Sequence, residues 1–473
     1  FSWGAIALLV LAVSATAQVG DKVFIEGARI VPVVGPEIEK GNILIENGKI
    51  VAIGAEIEKP FDARVIDAVG RVAFPGWVDP MNSRGLDVSN ENLDVVPFLE
   101  VYDAIDPSDR NFELALRHGI TTLHVSQGNN TVVSGLSRVL RPVGLSVQEM
   151  TVRADGGLKI AFAPKNGYDH AVQRAVLRET FDELDRYLEA LAERLYEADL
   201  KKKGEDLTVG PEEAREKGKD LITLAKIDDA HRNLMRLRQG RLDAYLYCER
   251  AMDIAPALAF AKAQGIDAQS SVVLDAEAHK GAALLKDLAR PVILDADRLV
   301  YSEVDRITLE TEDTFVPSVL VAAKVPFCIG GTLEPWLAAA RCVREGVSRQ
   351  VALEACTLQA AKSIGMGHRV GSLEVGKDGN VLLLTGDPLD TMTWVDEVWI
   401  EGRRVYERSK DQRLRDLLLG IEETNILDRR AEEEAKKKAA ESEKSKEKAK
   451  DADKGAKKPA AESKDDGAKK DQG

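Results

Sequence analysis

Residues 22–73 alternate apolar and polar positions in three short runs, KVFIEGARIVPVV, GNILIENGKIVAIG and ARVIDAVGRVAF. That period of two predicts half-buried strands. Asn47-Gly48 stands between two such stretches and predicts a tight hairpin, since both residue types accept positive φ. The same texture returns in GSLEVGKDGNVLLLTG and VDEVWIEGRRVYE near the other end. Neither set has enough strands to bury a face alone, so the two are expected to join in one small β-sandwich. Between them, strand-like runs precede helix-like runs four times: GITTLHVS before VVSGLSRVL, LDAYLYCE before IAPALAFAKAQG, QSSVVLDAE before KGAALLKDLA, and VPFCIGG before LAAARCVREG. This alternation predicts an α/β chain with a parallel sheet or a (β/α)8 TIM-like barrel. Residues 171–240 break the rhythm with apolar positions at helical spacing among mixed charges, which predicts a helical excursion between two barrel strands with plain solvent-facing surfaces.

The two ends differ from this middle. The opening FSWGAIALLVLAVSATAQ is an apolar run followed by Ala15-Thr16-Ala17, the pattern of a secretory signal cleaved after Ala17; the competing reading is a buried strand or helix. A signal predicts a periplasmic or secreted protein, and the run is too short to be a comfortable membrane span. From about Arg429 the chain is rich in Ala, Glu and Lys and almost devoid of large apolar side chains, which predicts a disordered tail. The expected organisation is therefore 1–17 signal peptide, 18–73 first part of the β-sandwich, 74–370 barrel with its excursion at 171–240, 371–410 second part of the sandwich, and 411–473 helical connector and charged tail.

Composition narrows the partners. With 473 residues, 44% of them hydrophobic, the chain can bury one large core or two. A formal charge of −14 argues against a basic groove for nucleic acid. The four cysteines, Cys248, Cys328, Cys342 and Cys356, contain no C-x-x-C pair and predict buried free thiols rather than a disulfide framework.

Several stretches carry a family resemblance: FPGWVDP, the region LEVYDAIDPSDRNFELALRHGITTLHVSQGNNTVVSGLSRVLR, GLKIAFAPKN, ERAMDIAPALAFAKAQGI, and the closing VREGVSRQVALEACTLQAAKSIGMGHRVGSLEVGKDGNVLLLTGDPLD. Over about residues 22–408 the chain resembles the amidohydrolase superfamily, imidazolonepropionase-like branch. The resemblance implies a barrel whose mouth holds one or two metals through a His-x-His on strand 1, a His on strand 5, a His on strand 6 and an Asp after strand 8. Such a metal leaves one position for water, lowers its pKa and polarises a substrate carbonyl, while the Asp takes the proton.

Carried over position by position, these slots hold other residues. The His-x-His falls on Met81 and Ser83, the strand 5 His on Tyr247 with Glu249 in the companion slot, the strand 6 His on Leu274, and the strand 8 Asp on Leu333. An Asp usual in the closing segment is Asn380 here. The neighbours Asp275 and Glu334 are able to bind a cation, but a slip of one residue in a strand turns the side chain to the other face. Of the six histidines, His124 inside TTLHVS is the one candidate metal ligand placed to point into a barrel; no two have ligand spacing. The loop SQGNNTVVSG, residues 126–135, is either a site-building loop or a plain connection.

The leading expectation is an exported protein of this fold that has lost metal-dependent hydrolysis and acts in binding or scaffolding toward a small molecule or a protein. Its mouth would be lined by Met81, Ser83, Tyr247, Leu274 and Leu333, converging on one another, with no cofactor. The alternative is an active hydrolase of C–N bonds in cyclic amides or related small molecules. It would use zinc at relocated ligands or the carboxylates Glu249, Asp275 or Glu334.

Overall fold

A computed structural model describes residues 22–418; the signal-like stretch 1–17 and the tail beyond 418 lie outside the described residues. In chain order the strands are β1 (Lys22–Ile30), β2 (Ile38–Glu46), β3 (Lys49–Gly54), β4 (Arg64–Asp67), β5 (Val72–Pro75), β6 (Trp77–Asn82), β7 (Ile120–Val125), β8 (Ser137–Leu140), β9 (Thr151–Ala161), β10 (Ala244–Cys248), β11 (Ser270–Leu274), β12 (Val292–Asp295), β13 (Val300–Val304), β14 (Thr311–Phe315), β15 (Phe327–Gly330), β16 (Val381–Leu384), β17 (Val395–Ile400) and β18 (Arg403–Glu407). The unit that begins at Ser409 is described only over its first residues, with a short helix at Gln412–Leu418.

Both ends of the first unit build one sheet, in the order β18-β17-β16-β5-β1-β2-β3, with β4 also on β1. The ends meet where β16 runs antiparallel to β5, Leu382 opposite Phe74. Asn47 and Gly48 turn β2 into β3 with φ of 51° and 79°, as their types predict. Hydrogen bonds link all eight strands, so the expected sandwich is a single continuous sheet. Two irregularities bend β1, which pairs with β4 along its first half and β5 along its second. Alternate residues serve different cores. Val381 and Leu383 of β16 pack with Ile25, Ile43 and Trp399 inside the small domain, whereas Leu382 and Leu384 join the barrel's core.

The barrel sheet runs β15-β12-β11-β10-β9-β8-β7-β6. Seven strands are parallel; β8 is antiparallel to both neighbours. Residues read from sequence as the helix-like run VVSGLSRVL are thus a loop and a strand. The stretch is buried throughout, polar residues included, so no in–out alternation marks it as a strand. The excursion is helical as expected, with helices at His170–Lys203, Pro211–Gly218 and Asp229–Arg238. Asp169 caps the 34-residue helix by accepting from Val172 N, and Gly204 ends it at φ 73°.

Side chains join the two ends of the barrel sheet. Asp79 on β6 accepts from Gly331 N at 2.8 Å, and Arg84 donates to Gly331 O at 2.8 Å. A Cβ on Gly330 would stand 2.8 Å from Pro80, so the seam requires glycine there. The barrel's N-terminal end is stoppered by the helix Leu358–Ser363: Ala360, Ala361 and Ile364 pack on Val78, Tyr245, Val273, Ile293 and Cys328. All four cysteines are buried and unpaired. Among the described residues no helix is long and apolar enough to cross a membrane.

Candidate functional site

The C-terminal ends of the strands form a barrel mouth, the usual place for a site in this architecture. Period-two alternation decides which side chains reach it. On β10, Leu246 and Cys248 pack toward the outer helices, while Tyr245 and Tyr247 face inward. On β11, Val273 faces inward and Leu274 packs in the outer core with Leu246 and Leu294. Leu274 therefore does not line the mouth, and the sequence register at strand 6 is corrected by one residue: Asp275 follows at the strand end. Leu333, partly buried, also packs on the outer core. Met81 and Tyr247 lie against the inner core, Ser83 is partly buried in the turn after β6, and the expected convergence of all these side chains does not occur.

Of the carboxylate candidates, Glu249 and Asp275 stay near Tyr247 while Glu334 stands apart. Asp275 accepts from Ala276 N at 2.5 Å, and its Oδ2 lies 3.9 Å from Arg298 Nε. Glu249 and Asp275 both act on Tyr247, whose phenol is pushed up mainly by burial. Glu334 is exposed at the start of the helix Pro335–Arg344. With Thr332, Leu337 and Arg341 it lines a cavity of about 550 Å³.

His124 points into the barrel, as its strand position predicts, but its ring is occupied. Nδ1 lies 2.9 Å from Pro80 O and Nε2 lies 2.7 Å from Ser137 Oγ. A carbonyl only accepts, so Nδ1 carries the proton, and Nε2 shares the single Ser137 hydroxyl proton with Gly157 O, 2.9 Å from Ser137 Oγ. The imidazole also packs on Tyr245 at 4.4 Å between ring centroids. Burial drives its pKa down to about 3, so it stays neutral with neither nitrogen free.

Three polar groups at the mouth were not singled out from sequence as site residues: Asp79, Lys159 and Asp295. Asp79 Oδ1 accepts from Gly331 N and Met81 N, while Oδ2 is buried with no partner. Burial outweighs those two hydrogen bonds and raises its pKa to about 7. Asp295, at the end of β12, accepts from Asp297 N at 2.9 Å and lies on the other side of the Gly331 backbone. Burial raises its pKa too, and Asp297 and Asp275 add to the rise. Lys159 on β9 is 3% exposed, donating to Gln127 O and to Asn129 Oδ1 at 3.1 Å. Burial lowers its pKa to about 7. Its signal was a lone charge at an inward position of GGLKIAFA, between Leu158 and Ile160, which pack outward. Through Gln127 and Asn129 the loop 126–135 touches the Lys159 amine.

Met81, Ser83 and Tyr247 stand in transferred slots, Asp275 follows at the strand 6 position, both nitrogens of His124 are engaged, and among the described residues no group of three or more His, Cys, Asp or Glu side chains gathers.

Comparison with known proteins gives this geometry a context. The model of the Amidohydrolase family matches residues 330–405. The imidazolonepropionase of Geobacillus sp. (strain WCH70) is 24% identical over 402 residues, covering 73% of this chain and 84% of that protein. A dihydroorotase of Anaeromyxobacter dehalogenans (strain 2CP-C) is 39% identical over 59 residues, 12% of this chain and 14% of that one. Among solved structures, an amidohydrolase from Thermotoga maritima MSB8 superimposes with a TM-score of 0.67 at 24% identity, covering 82% of this chain and all of that one.

Proposed function

From the premise that this chain belongs to the amidohydrolase superfamily, we propose that it is an exported member that has lost metal-dependent hydrolysis and binds a small molecule in its barrel mouth. The observation that carries the proposal is the replacement of the metal's donor set. The strand 1 and strand 5 slots hold a thioether, a hydroxyl and a protonated phenol, with carboxylates left only at Asp275 and Glu249, and the one inward histidine is neutral and bonded through both nitrogens. Export is supported by the A-x-A pattern at Ala15–Ala17. The alternative, a C–N hydrolase working with zinc or with carboxylates, draws support from Asp275 and Asp295 standing at the mouth.

Metal content separates the two forms. Protein purified from zinc-supplemented medium is expected to hold zinc far below one equivalent, and a chelator is expected to leave its Tm unchanged, since a resident metal stabilises the folded state by mass action. Near one equivalent of zinc, removed by chelator with a fall in Tm, would return the chain to the metal hydrolases.

A further inference from the structure

Lys159 is a buried amine whose surroundings match its neutral form. An ammonium carries three N–H groups and a neutral amine two. Nζ has two acceptors, Gln127 O and Asn129 Oδ1, and neither is charged. The neutral amine spends both donors on these and keeps its lone pair free. The ammonium would bury a third N–H without a partner and a charge with no carboxylate bonded to it. The carboxylate that does act on it, Asp295, acts through space. With a pKa of about 7, roughly half the molecules carry the free amine at neutral pH, against on the order of one in a thousand for an exposed lysine.

The groups around the amine define what it would meet. Asn129 and Gln127 both accept from Lys159, so the loop that carries them fixes the orientation of the amine. Asp79, Asp275 and Asp295 outnumber Arg84 and Arg298 at the mouth, which disfavours an anionic ligand. A desolvated lysine with an available lone pair is the group that condenses with carbonyls.

Resting on the reading of the mouth as a metal-free binding site, we propose that Lys159 captures a small uncharged aldehyde or ketone as an imine. The Nζ lone pair forms a bond to the carbonyl carbon. The C=O π pair moves onto oxygen, which takes one amine proton to give a carbinolamine. The C–O bond then breaks, and the oxygen leaves as water with the second amine proton as C=N forms. No oxidant or reductant takes part. The imine so formed is neutral; a proton from solvent makes it cationic, and Asp295, within electrostatic reach, offers the facing carboxylate.

The test traps that bond in the full-length protein. Folded protein is treated at pH 7 with propionaldehyde and sodium cyanoborohydride, and the sites of reductive alkylation are mapped by peptide mass spectrometry, with zinc measured in the same sample. Lys159 is expected to label about tenfold faster than exposed lysines, given its larger free-amine fraction. Lys159→Arg should abolish that fast phase and leave the slow labelling of the other lysines unchanged. In parallel, acetylation by acetic anhydride at increasing pH should level off for Lys159 just above neutrality while exposed lysines keep accelerating toward pH 10. Labelling of Lys159 no faster than the surface, or an acetylation rate that climbs with the surface lysines, overturns the proposal. Unlabelled and zinc-free protein rejects the imine and leaves the binding reading intact; stoichiometric zinc rejects the binding reading itself.

Discussion

Asp79→Asn is expected to remove a component of stability that falls between about pH 4 and 7, and Lys159→Met a component that rises between about pH 7 and 10. Asp79 has a folded pKa of about 7 against 3.8 for an ordinary Asp, because burial outweighs its bonds to Gly331 and Met81 and the pull of Arg84. Between those values the folded protein holds a proton that the unfolded chain has released. The stability Asp79 contributes is therefore complete below about pH 4 and lost as pH rises through 7, by up to about 4 kcal/mol at 1.4 kcal/mol per pKa unit. Lys159 works in the opposite sense. Its folded pKa of about 7 lies below the ordinary 10.5, so its contribution is complete above about pH 10 and lost as pH falls through 7. Asparagine at 79 keeps the acceptor for Gly331 N and has no charge to bury, so the falling component should vanish and leave the rise up to about pH 6.5 contributed by His124, which is buried neutral and charges on unfolding. Urea denaturation across pH 4–10 measures both arms. Parallel acid arms in wild type and Asp79→Asn would refute the buried carboxyl.

Leu274→Ala is expected to cost about 2–5 kcal/mol of folding stability, the range for truncating a fully packed leucine. Leu274 is 1% exposed in the core between strands and helices, so its removal leaves a cavity that no ligand fills. A leucine facing an open mouth would cost far less. Propionaldehyde labelling of Lys159 should persist in Leu274→Ala, since the two side chains lie on opposite sides of the sheet. A loss under 1 kcal/mol in urea melts, with labelling altered, would return Leu274 to the mouth.

The fate of Leu274 shows how far sequence reaches into this molecule. Strand identity was legible: β10, β11 and β15 form where YLY, SVVL and PFCIG place apolar runs between turn signals. Facing was not, because both sides of a barrel strand are buried and the alternation that would fix the register is absent. A transferred slot one residue out then exchanges Leu274 for Asp275. The short run VILD of β12 went unread for the same reason, and with it Asp295 at its end. The antiparallel β8 was hidden because its four residues are buried throughout. His124 was read correctly as inward, but its bonds to Pro80 and Ser137 join residues 44 and 13 positions away, which no local pattern reports. Lys159 was visible in principle, since a single charge among inward strand positions must be satisfied by something. Its partners came from a loop 30 residues upstream.

The pairing of β5 with β16 has a consequence for synthesis. Pro75 and Val381 are partners, so about 300 residues must be made after β5 before its second neighbour exists. At about 5–20 residues per second, that interval is roughly 15–60 s. Throughout it β5 is a nascent edge strand with backbone donors and acceptors open to any other chain, and Val72, Ala73 and Phe74 exposed from cores not yet assembled. Completion of the small domain thus waits for the synthesis of β16, and a chain stalled short of β16 leaves the ribosome with that edge unguarded.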